Sequence, residues 1–294
     1  MSEAALLPVS AAVAPRKNLV RRFLRHRLAV LGVLLTVLLV IGAAAAPILA
    51  PHDPDEIDIA NRYAPPLSAG HILGADDLGR DTFTRLLYAG RISLSVGIAA
   101  MLVTVVVGFS VGAFAAYYGG WLDLVLMRLT DMMLCFPSVF LLLFVAAFVS
   151  PTLVSISLMI GLTIWMEIAR IVHAQILALK QADFIAAARM AGASSWRIVL
   201  RQILPNTLAP LLVAATLNTA NAILLESYIS FLGYGIQPPQ ASWGNMLTNA
   251  QDAFQVDPWL AVFPGLAITV AVASFNFIGD GLRDALDPRL RGER

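Results

Sequence analysis

Long stretches without a charged residue alternate with short polar segments along this 294-residue chain. Four such stretches, of 25, 31, 35 and 24 residues, lie between Arg27 and Asp53, Arg91 and Asp123, Asp131 and Glu167, and Arg201 and Glu226. A helix needs about 20 apolar residues to cross the hydrocarbon core of a membrane. Core helices of soluble proteins are neither so long nor so uniformly apolar. The pattern therefore predicts membrane-spanning helices.

The 35-residue stretch is too long for one span, and Pro151 after Ser150 favours a turn near its middle. We predict two helices there, at about 129–149 and about 152–173, and a last span at about 259–279. Backbone groups in lipid have to form their hydrogen bonds within the protein. The expected fold is all-α, a polytopic membrane protein with about six transmembrane helices.

Composition supports this interpretation, and the distribution of basic residues predicts the orientation of the chain in the membrane. Charged residues make up 13% of the chain, whereas soluble domains contain about 25%. If the N-terminus is inside and six spans follow, only four basic residues lie outside: Arg62, Arg80, Arg85 and Arg91. The other sixteen lie inside: Arg16, Lys17, Arg21, Arg22, Arg25, Arg27, Arg128, Arg170, Lys180, Arg189, Arg197, Arg201, Arg283, Arg289, Arg291 and Arg294. This bias predicts a multi-pass inner (plasma) membrane protein with both termini cytoplasmic.

The segments then divide into a basic cytoplasmic N-terminal part, 1–27, and one transmembrane domain, 28–294. The first fifteen residues are expected to be disordered. The first span is expected to stay uncleaved, because it is longer than the core of a signal peptide. The domain contains an outer segment at 51–91, a cytoplasmic loop at 174–206 and an outer loop at 232–258. Thr82 to Tyr88 are predicted to form a short helix before the second span, and Cys135 to pack within the third.

The cytoplasmic loop has the pattern of two short helices between residues 183 and 205. Asp183 is a suitable N-cap, and the alanines at 186–188 favour helix. Gly192 can end that helix in a left-handed conformation. Ser194 or Ser195 can begin a second helix, which is expected to end at or before Pro205.

A helix face made of alanines lets another protein approach the backbone closely. We expect Phe184, Ile185 and Met190 to be apolar anchors for such a partner. The alternative is a surface loop that packs on its own bundle, and the residues alone favour neither.

Motifs of enzymes are missing from the sequence. It has no phosphate-binding Gly-x-x-x-x-Gly-Lys-Ser/Thr loop and no His-Glu-x-x-His pattern. The four histidines, His26, His52, His71 and His173, are scattered, so we expect no metal site and no cofactor on this chain. Gly279-Asp280-Gly281 has the wrong order for an intramembrane aspartyl protease. We expect a chain that is not an enzyme.

Glu226 is the acidic residue that the pattern places inside a span. A charge there is costly and suggests a translocation pathway. The alternative is a hydrogen-bonded contact with a neighbouring helix or a partner chain. Glu167 and Arg170, three residues apart on a predicted helix, are expected to form a local ion pair. In the outer segment, Asp77, Arg80 and Asp81 could contact an outer protein or cap the second span.

The cytoplasmic loop resembles the coupling helix of ABC importer permeases. Their motif is Glu-Ala-Ala, three residues, Gly, nine residues, then Ile-x-Leu-Pro. Five residues match its spacing: Ala187, Ala188, Gly192, Leu204 and Pro205. Ala186 stands at the Glu position and Gln202 at the Ile position. The residues that the resemblance implies for ATPase coupling are Phe184, Ile185, Ala186, Ala187, Ala188, Arg189, Met190, Gly192, Ser194, Leu204 and Pro205.

Further motifs are similar to the dipeptide/oligopeptide/nickel permease family, in particular to the second permease of its heterodimer. They are the segments 74–81, 230–233, 237–239, 242–244 and 279–288. The resemblance implies the type I ABC importer permease fold and import of di- or oligopeptides, with nickel or another small solute as the alternative. A secondary transporter is the more distant alternative.

The resemblance also implies the partners. They are a second homologous permease, two ATP-binding subunits that carry ATP and Mg²⁺, an extracytoplasmic substrate-binding protein and the lipid membrane, with no nucleic acid. The binding protein is the outer partner that Asp77, Arg80 and Asp81 would contact.

Overall fold

The computed structural model describes residues 16–68 and 70–286, and these residues are mainly helical. Segment 1–15, expected to be disordered, and Arg289, Arg291 and Arg294 of the charge argument lie outside this range. Thirteen α-helices are found in the described part of the chain. They are α1 Arg16–Arg25, α2 Arg27–Ala44, α3 Ala46–Leu49, α4 Thr82–Tyr118, α5 Gly120–Leu134, α6 Ser138–Ala146, α7 Leu153–Thr163, α8 Trp165–Leu179, α9 Asp183–Met190, α10 Ser195–Ile198, α11 Leu204–Phe231, α12 Trp243–Ala253 and α13 Trp259–Leu286.

Within residues 16–68 and 70–286, four helical segments are long and apolar enough to cross a membrane by themselves. They are α2, α4, the run Ser195–Phe231 and α13. Two bent pairs, α5 with α6 and α7 with α8, raise the number to six if each pair makes one crossing. The all-α membrane fold predicted from the charge-free stretches is confirmed.

The bent pairs correct two predicted spans. The helix expected at about 129–149 is broken by 87° between α5 and α6. Pro137 stands at this break, where it lacks an N–H and disfavours helical geometry at the residue before it. The helix expected at about 152–173 bends by 47° between α7 and α8, at Ile164. Cys135 ends α5 with its side chain exposed, so its predicted packing inside a span is wrong.

α4 is longer than its polar start suggested. The predicted short helix from Thr82 to Tyr88 is the first part of one helix that continues to Tyr118. Its sequence contains no proline, and Asp81 caps its first turn by accepting a hydrogen bond from the Thr84 N–H at 2.8 Å. α4 packs against α2, α7, α8 and α11, and so forms the centre of the bundle.

Glycines allow α4 and α8 to approach at backbone distance. A Cβ added to Gly108 would lie 2.7 Å from the Trp165 carbonyl oxygen and 2.8 Å from the Ile168 Cβ. Gly112 faces the Ala169 carbonyl in the same way, one turn further along α4. Small residues at such spacing are how membrane helices reach close van der Waals contact.

The first two helices and the last helix meet at one side of the bundle. Phe23 of α1 and Ala29 of α2 lie against Gly281 near the end of α13. His26 Nε2 is also 3.4 Å from Asp284 Oδ2. The segment after α1 and the end of α13 therefore share the same face of the protein.

The α4–α8 contact predicts the effect of adding one methyl group. Gly108→Ala should lower the thermal unfolding midpoint of the detergent-purified protein, because overpacking of this kind costs about 1–3 kcal/mol. Gly265→Ala on α13 is the matched control, since nothing lies within 4 Å of a Cβ added there. Equal midpoints for the two variants would show that the backbones are not in close contact.

Candidate functional site

The predicted coupling residues form a helix, a turn and a second helical segment. α9 begins at Asp183, and Ala182 is its N-cap, so Asp183 is the first helical residue and not the cap. Gly192 has φ of +75°, which confirms the left-handed turn expected of it. Ser194 caps α10 by accepting a hydrogen bond from the Arg197 N–H at 3.4 Å.

The prediction that the second helix ends at or before Pro205 is wrong. A π-helical turn, Val199–Ile203, follows α10 and leads directly into α11, whose first turn contains Pro205. Pro205 cannot donate a hydrogen bond to the carbonyl of residue 201, four positions earlier. The wide π-turn lies at that position, and such turns are frequent at functional sites. Leu204 and Pro205 therefore belong to the start of α11.

One face of α9 is buried against the chain's own bundle. Ile185 is fully buried and packs with Ile198 and Ile203, so its predicted role as an exposed anchor is wrong. Ala188 packs partly against the same cluster. The Arg189 guanidinium lies over the Tyr117 ring at 5.6 Å, which fixes α9 to the end of α4.

The other face of the loop is open. Met190 is 91% exposed and Phe184 39%, with the exposed methyl groups of Ala186 and Ala187 between them. Trp196 of α10, which was not selected from the sequence, is 65% exposed in the same loop. Its position in the sequence, two residues after the N-cap Ser194, could have indicated an aromatic side chain at the start of the second helix. The loop thus offers a small-residue surface with large apolar side chains at its edges.

An apolar groove of about 370 Å³ lies beside the loop. The end of α4 forms one wall through Phe109 and Tyr117, and Trp196, Leu200 and Leu204 form the other. Leu204 therefore lines the same groove as Ser195 and Trp196 of α10. The predicted coupling residues are brought together by the structure, with Ile185 behind them as a support.

Glu226 lies at the centre of a buried hydrogen-bond network. Its side chain is fully buried. Ser93 Oγ of α4 donates to Glu226 Oε2 at 2.8 Å, and Ser230 Oγ donates to Oε1 at 2.7 Å. Each hydroxyl also accepts a backbone N–H, Ser93 from Trp243 at 3.2 Å and Ser230 from Ile236 at 3.3 Å. The geometry matches the helix-contact interpretation, since a pathway role would need a face open to water and Glu226 has none in this conformation.

The network holds a helix that the sequence argument missed. α12 occupies most of the second half of the loop expected at 232–258. Ser242 and Asn245 form a capping box at its start. Trp243 is buried, and its indole N–H donates to the Leu86 carbonyl at 3.2 Å. The Ser-x-x-Asn pattern before α12 was the available signal.

Two of the three outer-segment residues are buried inside their own loop. Arg80 Nε donates to Asp76 Oδ2 at 2.7 Å, and Asp81 accepts from the first turn of α4. The side chains of Arg80 and Asp81 are 8% and 0% exposed, whereas that of Asp77 is 37% exposed. Capping of α4 is therefore confirmed for Asp81, and Asp77 is the member of this group that an outer protein could reach.

Two contacts between separate segments differ from expectation. Arg170 lies 3.7 Å from Asp131 of α5, and not next to Glu167 on its own helix. His52 and His71, which are distant in sequence, come together with ring centroids 4.9 Å apart. Each contact joins residues from different segments of the chain, so neither is visible in local spacing.

Comparison with known proteins gives two family matches. Residues 108–292 match the family described as "Binding-protein-dependent transport system inner membrane component". Residues 15–66 match the "N-terminal TM domain of oligopeptide transport permease C". The first match alone covers more than half of the chain.

Individual relatives are similar over nearly the whole chain. The dipeptide transport system permease protein DppC of Alkalihalophilus pseudofirmus is 39% identical over 280 residues, which are 95% of this chain and 92% of that protein. A putative peptide transport system permease protein of Brucella abortus is 42% identical over 274 residues, 93% of this chain and 92% of that protein. A putative peptide permease protein of Brucella ovis is 40% identical over 283 residues, with 96% and 93% coverage.

The network around Glu226 predicts that a carboxylate is required there. Both serine hydroxyls donate to it, and a glutamine offers only one acceptor. Glu226→Gln should leave one buried group without its partner, at a cost of about 1–3 kcal/mol. The expected result is a lower thermal midpoint and faster proteolysis between α11 and α12. Asp252→Asn, on the exposed side of α12, is the control and should behave as the unchanged protein. A Glu226→Gln midpoint equal to that control would contradict the network's structural role.

Proposed function

The chain belongs to the family of binding-protein-dependent transport system inner membrane components, and from this premise we propose that it is the permease that carries di- or oligopeptides through the membrane. It is a multi-pass membrane protein of the ABC permease type. The peptide cargo is supported by relatives that are named as dipeptide or peptide permeases and are about 40% identical over more than nine-tenths of this chain. This near-complete similarity is the observation that carries the proposal.

We propose that ATP is hydrolysed on two separate subunits, which hold ATP and Mg²⁺ and dock on the loop formed by α9 and α10. The exposed methyl groups of Ala186 and Ala187 support this role, because they let a groove of another protein approach the α9 backbone. Met190, Phe184 and Trp196 supply the apolar contact area at the edges of that surface. Ala186 stands where related loops carry Glu, so docking depends on shape and apolar contact more than on an ion pair.

Force from the ATPases would enter the bundle at two points. Ile185 and the Arg189–Tyr117 contact join α9 to the ends of α8, α11 and α4. α10 is joined to α11 by the π-turn without a loop between them. Both connections favour a coupled movement of the loop and the membrane helices, as alternating access requires.

The proposed complex contains a second, homologous permease and an outer binding protein. α2, α4 and α13 expose many large apolar side chains, among them Leu34, Leu38, Leu102 and Val106. Such faces need lipid or a partner's helices around them. Asp77, at the rim of the outer segment, is the proposed contact for the binding protein.

Orientation is also part of the proposal. Sixteen of the twenty basic residues lie in segments that would be cytoplasmic if both termini are inside. The close contact between the start of α2 and the end of α13 supports termini on one side of the membrane.

The alternatives receive less support. A secondary transporter was suggested chiefly by Glu226, whose carboxylate is engaged by two serines inside the bundle. A nickel or other small-solute permease would share this fold, but the relatives described above carry peptide names.

A bulky residue on the docking surface should separate ATP hydrolysis from transport. In the complete complex in proteoliposomes, Ala187→Phe should reduce peptide uptake about tenfold or more, because a docking penalty of about 1.4 kcal/mol weakens binding by that factor. Ala187→Ser at the same position is the control for size and should retain coupling. Uptake per ATP hydrolysed is the quantity to measure. Normal coupling in Ala187→Phe would exclude this surface as the docking site.

Orientation can be tested with single cysteines. In a Cys135→Ser background, which leaves no cysteine in the chain, Met190→Cys and Gln237→Cys each place a thiol at an exposed position. A membrane-impermeant maleimide should label Gln237→Cys in intact spheroplasts and Met190→Cys only after lysis. The reverse pattern would invert the proposed topology, and Cys135→Ser alone should remain unlabelled.

A further inference from the structure

Three potential metal ligands meet on the outer segment, next to the start of α4. They are His52, His71 and Asp81, and one donor atom from each lies within 4.8 Å of the donor atoms of the other two. His71 Nδ1 is 2.9 Å from Asp81 Oδ1. No metal site was expected from the sequence, because these residues are separated along the chain, but the fold of the outer segment brings them together.

Two of the three side chains are fixed in place. The backbone of His71 is held in a turn, where its N–H donates to the Ser68 carbonyl at 2.8 Å and its carbonyl accepts from the Leu67 N–H at 3.0 Å. Asp81 Oδ2 accepts from the Thr84 N–H at 2.8 Å, and this bond directs Oδ1 towards His71. The side chains of His71 and Asp81 are 6% and 0% exposed. A buried carboxylate oriented by a helix N-terminus is a prepared ligand.

His52 completes the cluster from the open side. Its side chain is 34% exposed, and its Nδ1 lies 3.9 Å from Glu56 Oε2. Among the residues that the structure describes, it makes no hydrogen bond, although its ring lies against that of His71. An imidazole nitrogen available at the mouth of the cluster provides both a ligand and an entry route.

The distances suit a small divalent ion. Around tetrahedral zinc, bonds of about 2.0–2.2 Å place neighbouring ligand atoms about 3.4 Å apart. The 2.9 Å His71–Asp81 distance and the 4.8 Å limit of the cluster lie on either side of this value. Small side-chain rotations, chiefly of the exposed His52, would therefore bring the three donors to bonding distance, with a water as the fourth ligand.

The surrounding charge favours a cation. Between residues 51 and 85 the chain contains seven acidic residues and three arginines. Two of these arginines are engaged elsewhere: Arg80 pairs with Asp76, and Arg85 lies 3.5 Å from Asp76 and 3.8 Å from Asp55. These two arginines therefore do not neutralise Asp81, whose carboxylate faces the imidazole of His71 and lies close to that of His52.

We propose that His52, His71 and Asp81 bind one divalent transition-metal ion of the zinc type. Two imidazoles and one carboxylate are the ligand set that such ions prefer, whereas Mg²⁺ and Ca²⁺ prefer oxygen ligands alone. The bound ion ties the segment that follows α3 to the N-terminus of α4. It is a clamp on the outer surface, independent of the cargo and of the docking loop.

The test is a Zn²⁺ titration of the full-length chain, purified in detergent and stripped with a chelator. Equilibrium dialysis with elemental analysis should find one equivalent bound per chain, with a Kd of about 1 μM or tighter. The thermal midpoint should rise in parallel, because an ion that binds only the folded state stabilises it. The absence of a saturable equivalent would overturn the proposal.

Variants identify the ligands. His52→Ala should weaken Zn²⁺ binding about tenfold or more, and its partly exposed position keeps the fold intact. Asp81→Asn should do the same while preserving the helix cap, since Asn is an equally good N-cap. His173→Ala is the control, because His173 also pairs with a carboxylate, Asp123 at 2.7 Å, but is not part of this cluster. Binding retained in His52→Ala, or lost in His173→Ala, would show that the ion sits elsewhere.

Discussion

The close backbone contact between α4 and α8 is the constraint on which the rest of the bundle depends. With Gly108 and Gly112 facing backbone carbonyls of α8, α4 can be surrounded by α2, α7, α8 and α11 at once. The C-terminal end of α4 then meets Arg189 of α9, and its N-terminal part meets Trp243 and Glu226 through Ser93. The α9–α10 loop and the hydrogen-bond network of Glu226 are therefore positioned by one helix, and its packing sets the distance between them.

Polar contacts inside this bundle are few and specific, because an unpaired polar group in lipid is costly. Glu226 satisfies this rule with two serines, and each serine also accepts a backbone N–H from the α11–α12 segment. The carboxylate therefore organises the segment between α11 and α12 as well as the helices. In the outer segment, Asp76 accepts hydrogen bonds from the backbone N–H groups of Leu78 and Arg80 and from the Arg80 side chain, and Asp81 accepts one from the Thr84 N–H at the start of α4.

Features that depend on residues close in sequence could be predicted, and features that depend on the packing of distant segments could not. Apolar stretches, the Gly192 turn and the Ser194 cap depend on neighbouring residues, and they were predicted correctly. The burial of Ile185 and the pairing of Arg170 with Asp131 depend on how distant segments pack, so local patterns could not reveal them. Pro137 and Pro205 show the limit most clearly. Both are helix-breaking residues, yet one ends a helix at a sharp bend and the other is accommodated by a π-turn inside a continuous helical run.

The continuous run from Ser195 to Phe231 restricts how the bundle can move. Its 37 residues amount to a rod about 55 Å long at 1.5 Å per residue, with the exposed α10 at one end and Glu226 near the other. Successive residues of an α-helix are about 100° apart around its axis. Rotation of this rod about its axis by that angle would carry Glu226 away from Ser93. Tilting leaves that hydrogen bond intact when the pivot lies close to Glu226. The geometry thus separates two motions, a permitted tilt and a costly twist, and the π-turn at 199–203 is the place where any twist applied at α10 can be absorbed.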